Sequence, residues 1–244
     1  MAKVTLISLD GIPGSGKSST ARWLAEMLDQ KGQRVLIIAE DDSPHPLRFL
    51  TDLKKPLAPW AEISTEEFSL NCLGKFSQFL DRQINSDEQD ELVVVVDGLL
   101  FHTDTTSFFL MQPGDDQLNN HLAQMYEIGN RVRFLPLFLY HQPFGSSLAI
   151  TVKKRPDEWS RMQVDWKTSS PYCAQMGYFG HAGFLQFYQE YEERITNYFK
   201  KQLKNSQIGF SVCNPQDDWL VARKAIWNFY SQKLLWPSLI QKLL

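Results

Sequence analysis

The sequence predicts an α/β fold: a mostly parallel sheet covered by helices on both faces. Three observations lead there. Five short apolar runs lack polar alternation, amphipathic helical stretches separate them, and the first run enters its helix through a glycine-rich turn. A strand without alternation needs cover on both faces, and a following helix supplies it through a right-handed crossover.

The strands are read at Val4 to Leu9, Arg34 to Ala39, Leu92 to Val96, Phe134 to Tyr140 and Ile208 to Val212. The first helix spans Ser18 to Lys31, with Ala21, Leu24, Ala25 and Leu28 on one face and Gly32 as its stop. Ser64 and Glu67 have capping-box spacing before Phe68, Cys72, Phe76, Phe79 and Leu80. Asp115 to Ile128 and Phe184 to Leu203 carry apolar residues at helical spacing. For the last helix, Asn214 is the expected cap and Pro215 the first helical residue. Two long insertions, about 40–90 and about 144–183, interrupt the alternation within what reads as one domain over 1–244.

Composition narrows the function. The chain has 244 residues, 43 % hydrophobic and 22 % charged, which suffices for a core without staples. A net charge of −3 with no basic block argues against nucleic acid as a partner. Cys72, Cys173 and Cys213 have neither disulfide nor zinc spacing and suit a reducing compartment, so a cytoplasmic location is expected. No run reaches the length of a membrane span, and the N-terminal apolar run is too short for a signal peptide. The histidines lack metal-ligand spacing, and His102, His121, His141 and His181 read as structural.

The chemistry concentrates at Gly11-Ile12-Pro13-Gly14-Ser15-Gly16-Lys17-Ser18, a full match to GxxxxGK[ST] between a strand and a helix. Glycines let successive backbone N–H groups curl around phosphate oxygens, and the helix N-terminus adds partial positive charge. Gly11, Pro13, Gly14, Ser15, Gly16, Lys17, Ser18 and Ser19 are therefore read as binding a nucleoside triphosphate. Lys17 reaches the β- and γ-phosphates, Ser18 places its hydroxyl on Mg²⁺ and Ser19 meets the α-phosphate. By composition alone the four fixed positions recur in roughly one chain in a hundred of this length, so the strand–turn–helix context matters. Asp97, closing the run Leu92 to Val96, is the candidate acid for the metal.

This opening and Asp97 resemble the P-loop nucleoside and nucleotide kinases, with Leu9 to Thr20 most similar to the thymidylate and deoxynucleoside kinases. The resemblance implies a three-layer P-loop NTPase fold with strand order 2-3-1-4-5. It places an acceptor site under the first insertion, a lid in the second, and ATP with Mg²⁺ as phosphoryl donor. In the deoxynucleoside kinases an acid near the end of the second strand orients the acceptor and takes its proton. Glu40 matches that place, with Asp42 beside it. The acids Glu40, Asp41 and Asp42 repel an acceptor that already carries a phosphate, whereas Arg48 could clamp one, so hydroxyl and phosphate acceptors both stay open. Arg155, and less directly Arg161, would bring lid charge onto the moving phosphoryl group. Asp97-Gly98-Leu99-Leu100 stands where the deoxynucleoside kinases carry an acid–arginine pair.

The expected function is a small-molecule kinase with Lys17, Glu40, Asp97 and Arg155 as its catalytic set. Assembly as a homodimer is left open. The rival reading is a regulatory P-loop protein that hydrolyses ATP slowly and acts on a partner protein. A guanine-reading NKxD and an LSGGQ signature are both absent from the sequence, which excludes the GTPase and ABC-type ATPase readings.

Overall fold

The computed structural model describes residues 3–86, 90–206 and 209–234. β1 (Val4–Asp10) and β3 (Leu92–Asp97) are buried along their whole length, as their unbroken apolar sequences require. β2 (Arg34–Ile38), β5 (Leu137–Tyr140) and β6 (Phe210–Cys213) complete a parallel sheet ordered β2-β3-β1-β5-β6, and β4 (Arg133–Phe134) pairs with β1 beside β5. With β4 and β5 taken as one interrupted strand, this is the expected 2-3-1-4-5 order.

The two faces of the sheet carry separate cores. Val4 and Leu6 of β1, with Leu92, Val94 and Val96 of β3, pack toward one layer. That layer contains α2 (Thr65–Ile84), α3 (Asp104–Leu110), α4 (Asp115–Gly129) and α8 (Gly180–Ser206). Ile7, Leu9, Val93 and Val95 face the other layer, made by α1 (Lys17–Asp29) and α9 (Trp219–Leu234). The period-two alternation of strand side chains thus serves both cores, each fully buried Leu, Ile, Val or Phe contributing about 1.5–3 kcal/mol.

Several sequence expectations are corrected. The run Phe134 to Tyr140 is two strands because Pro136 has no N–H for the ladder. β2 is not covered on both faces: as the sheet's edge it leaves Leu36 and Ile37 more than a third exposed. The fifth predicted strand starts at Phe210, and Ile208 lies outside the described residues. α9 is capped by Asp218, whose Oδ1 accepts from Leu220 and Val221 N–H, both at 3.0 Å. Asn214 instead adopts φ 48° in the preceding turn and accepts from the Gln142 N–H at 2.8 Å. Among the described residues no helix is long and apolar enough to cross a membrane.

The first insertion contains α2, the helix expected after Ser64, whereas the second, for which no helix is predicted, folds as three. The second holds α5 (Ser146–Lys154), α6 (Asp157–Thr168) and α7 (Pro171–Met176). Its entry is fastened by the fully buried Glu192 of α8, which accepts from the His141 N–H at 3.0 Å and the Gly145 N–H at 2.6 Å. Two orphan backbone donors are thereby satisfied at the carboxyl edge of the sheet.

Candidate active site at the carboxyl edge of the sheet

The turn from β1 into α1 carries Gly11, Pro13, Gly14, Ser15 and Gly16, and Lys17, Ser18 and Ser19 form the first turn of the helix. Gly14 has φ +86°, and a Cβ there would stand 2.7 Å from the Ser147 carbonyl and overlap Thr151, so only glycine fits beneath α5. Ser147 Oγ also donates to the Pro13 carbonyl at 3.4 Å. The Ser15 hydroxyl is buried with no partner among the described residues. A glycine-rich turn at a helix N-terminus, with a buried hydroxyl that has no partner among the described residues, is fitted to an anion.

Lys17 is 4 % exposed and meets Glu40 Oε2 at 3.4 Å. Glu40 arrives from the end of β2, so sheet pairing rather than sequence proximity joins the two. His102 Nε2 lies 2.8 Å from Glu40 Oε1, and Arg48 Nη1 donates to the Glu40 carbonyl. Burial works to raise the Glu40 pKa, but His102, Lys17 and Arg48 override it and hold the carboxyl well below the usual carboxylate range. Burial, aided by the Lys17 charge, pushes His102 down to about 4. At neutral pH the ring is therefore uncharged, and Nε2–H donates to the ionised Glu40.

Asp97 ends β3 beside Ser18. Burial raises its pKa against Lys17 and a hydrogen bond with Ser18. Its Oδ1 is buried without a partner. A carboxylate with a spare buried oxygen next to a hydroxyl is a pair that could hold Mg²⁺. Among the described residues no three His, Cys, Asp or Glu side chains converge into a metal site. Mg²⁺ needs no such group, since it is commonly held by one or two protein oxygens plus phosphate and water.

Asp10 explains how His102 is placed. Its Oδ1 accepts from the Leu99 and Phe101 N–H groups at 3.0 and 2.9 Å, shaping the loop that presents the histidine. Burial pushes Asp10 from 3.8 up to about 6, against the hydrogen bonds from the Phe101 and Leu99 backbone. The folded chain thus holds this proton more tightly than the unfolded one. The stability this contributes is complete below about pH 4 and is lost as pH rises through about 6. Asp10→Asn keeps the acceptor and removes the buried charge. It is expected to add about 3 kcal/mol of stability near pH 8 and almost nothing near pH 4, read from urea midpoints. An equal change at both pH values would refute this account.

Beyond Glu40, the first insertion lays a segment over a cleft against α2, the β3–α3 loop and α4. Arg48, His102, Asp104, Thr105 and His121 contribute its polar lining around a free volume of about 10 Å³. His45 Nδ1 accepts from the Leu47 and Arg48 N–H groups, each at 3.1 Å, and Asp104 accepts from those of Phe49 and Leu50 at 2.7 and 3.1 Å. These bonds fix the Arg48 backbone. Its side chain is 9 % exposed, with Nε and Nη2 lacking partners among the described residues. Such a fork is the geometry that grips a carboxylate or phosphate.

The structure gathers Lys17, Ser18, Glu40 and Asp97 at one edge and adds His102, which the sequence reading left as structural. Arg155 is not gathered there: it is exposed at the end of α5, its guanidinium 5.4 Å from the Trp159 ring centroid. Arg161 is exposed as well. Phe68 is fully buried between Phe49 and Phe108, as a residue of the core. No motif announces His102, since its role depends on a loop tied down by Asp10.

The strand order, the phosphate loop and the helical insertions define a P-loop nucleotide-kinase-like fold. The solved thymidylate kinase from Candida albicans shares it at 14 % identity and a TM-score of 0.52, over 96 % of this chain and 93 % of that one. The thymidylate kinase from Ehrlichia chaffeensis aligns at 13 % identity and a TM-score of 0.48, over 91 % and 98 %. No protein-family model and no curated protein sequence matches the chain. At these identities the likeness establishes the fold alone.

Proposed function

We propose that the protein is a phosphotransferase that moves the γ-phosphoryl group of ATP, bound with Mg²⁺, to a small molecule that is seated beside Arg48 once the segment over that water-sized cleft moves aside. The observation that carries this reading is the meeting of Lys17 and Glu40 at 3.4 Å. It joins a phosphate-loop cation to a carboxylate that is hydrogen-bonded to His102 and Arg48, two residues that line the cleft.

Each residue then has a role. Backbone N–H groups of the loop and Lys17 bind and orient the polyphosphate. Ser18 and Asp97 would hold Mg²⁺, which when bound offsets phosphate charge. Once Lys17 turns to the phosphates, Glu40 is free to accept the proton of an acceptor hydroxyl while His102 keeps it in place. The acceptor oxygen bonds to the γ-phosphorus, the bond to the β–γ bridging oxygen breaks, and ADP leaves. The open fork of Arg48 favours an acceptor that carries an anionic group. Arg155 would have to leave Trp159 to reach the phosphates. It starts one helical turn from Thr151, which overlies Gly14. The free thiols suit a reducing compartment such as the cytoplasm.

The test is ADP release with and without a panel of nucleosides, nucleoside monophosphates and small anionic alcohols. At least one class is expected to raise the rate about tenfold or more, the scale of a single well-placed acid–base or charge contribution. Tight Mg·ATP binding with no stimulation by any acceptor would defeat the reading.

A further inference from the structure

The sheet has an unfinished edge at β2. This strand ends the path β2-β3-β1-β5-β6 and pairs with β3, so among the described residues no strand lies along its other side. Its sequence, Arg34-Val35-Leu36-Ile37-Ile38, has the unbroken apolar run of β1 and β3, strands that are covered on both faces. Here the cover stops short. Ile38 is buried and Val35 half-buried, while Leu36 and Ile37, on opposite faces, are 37 % and 38 % exposed. A bare edge is a template for another strand, and natural edges are usually blunted by a proline, a bulge or a charge. Val35 to Ile38 contains neither proline nor charge, and its register with β3 runs without a bulge.

The charges around the strand select its occupant. Lys31 precedes β2, Asp41 and Asp42 follow it, and all three are exposed. Asp42 is engaged within its own turn, its Oδ2 accepting from the Ala39 N–H at 2.9 Å, while Asp41 carries its charge in the open. One end of the strand is therefore basic and the other acidic. A second copy of β2 running antiparallel presents the reverse order. With the two-fold axis at Leu36, all five residues of each strand are paired: Leu36 stands opposite itself, Val35 opposite Ile37 and Arg34 opposite Ile38. The same register sets Lys31 against Asp41 at both ends. A slipped register loses pairs and separates these charges, and a parallel copy would bring like ends together.

We propose that β2 pairs antiparallel with the β2 of a second copy of this chain, in register about Leu36, joining two sheets into one across an isologous two-fold interface. Leu36 then meets its counterpart on one face and Ile37 meets Val35 on the other, apolar cross-strand pairs that cover what the single chain leaves bare. β2 ends two residues before Glu40, so the pairing also steadies the backbone that carries this carboxylate. The interface itself is independent of the phosphotransferase reading.

The test is sedimentation equilibrium on the full chain from about 1 to about 200 µM. Five paired residues bury little surface, and a dimer with a Kd on the order of 10 µM is expected. Leu36→Lys sets two like charges opposite each other at the axis. It should weaken the dimer at least about tenfold and leave the chain folded, since residue 36 is exposed in the single chain. Two milder variants leave the strand intact and read its register. Lys31→Glu and Asp41→Lys should each weaken the dimer about tenfold, because each turns two attractive pairs into repulsive ones. Combining them should restore the affinity to within about threefold of wild type. A monomer at every concentration would overturn the proposal. So would a dimer that folded Leu36→Lys leaves unchanged, since its contact would then lie on another surface. Failure of the combined charge variant to recover would overturn the antiparallel register about Leu36.

Discussion

Lys17→Ala is expected to lower phosphoryl transfer on the order of a thousandfold, the range seen when one preorganised electrostatic contact to a developing charge is removed. Burial gives this charge its weight. Lys17 is 4 % exposed and its charge acts on both Glu40 and Asp97. Water cannot easily replace it, and without it three carboxylate and phosphate groups would repel one another. Lys17→Arg should fail nearly as badly, because a planar fork cannot occupy the place of a compact ammonium held 3.4 Å from Glu40. Far-UV circular dichroism and the thermal midpoint should show both variants folded. A folded alanine variant that kept a tenth of the wild-type rate would remove Lys17 from the chemistry.

Glu40→Gln should reduce kcat about 100- to 10,000-fold with a hydroxyl acceptor, while Mg·ATP binds at least as well as before. The amide retains the shape of the side chain and can still accept from His102 Nε2–H, which in the wild type lies 2.8 Å from Oε1. It loses the basicity needed to take a proton and the charge that holds Lys17 when no phosphate is present. With a phosphate acceptor, already ionised, the loss should be far smaller, so the ratio of the two losses reads out the acceptor's chemistry. Unchanged turnover with every acceptor would assign Glu40 a structural role.

Much of the fold was legible because its signals are local. The buried strands Leu92 to Val96 and Val4 to Leu9 need no partner to be recognised, and GxxxxGK[ST] encodes its own backbone shape. Ser64 caps α2 as its spacing indicated, accepting from the Glu67 N–H at 3.2 Å. Other helix starts are marked locally as well. Ser170 followed by Pro171 marks the start of α7, and Asp218 lies two residues before the backbone N–H of Leu220 that it binds. The break at Pro136 follows from a missing donor.

By itself the sequence determined the phosphate cradle, the α/β class and the carboxylates at the ends of the second and third strands. Backbone conformation and period-two or period-3.6 burial are short-range properties of the chain. Only the tertiary structure decided that Glu40 stands between Lys17 and His102, that Arg48 brings to a cleft two nitrogens with no partner among the described residues, and that Trp219 comes to rest on Gly16. Those contacts join residues up to about two hundred positions apart. Each depends on how the parallel strands order themselves and where the helices between them pack, and no local pattern specifies that.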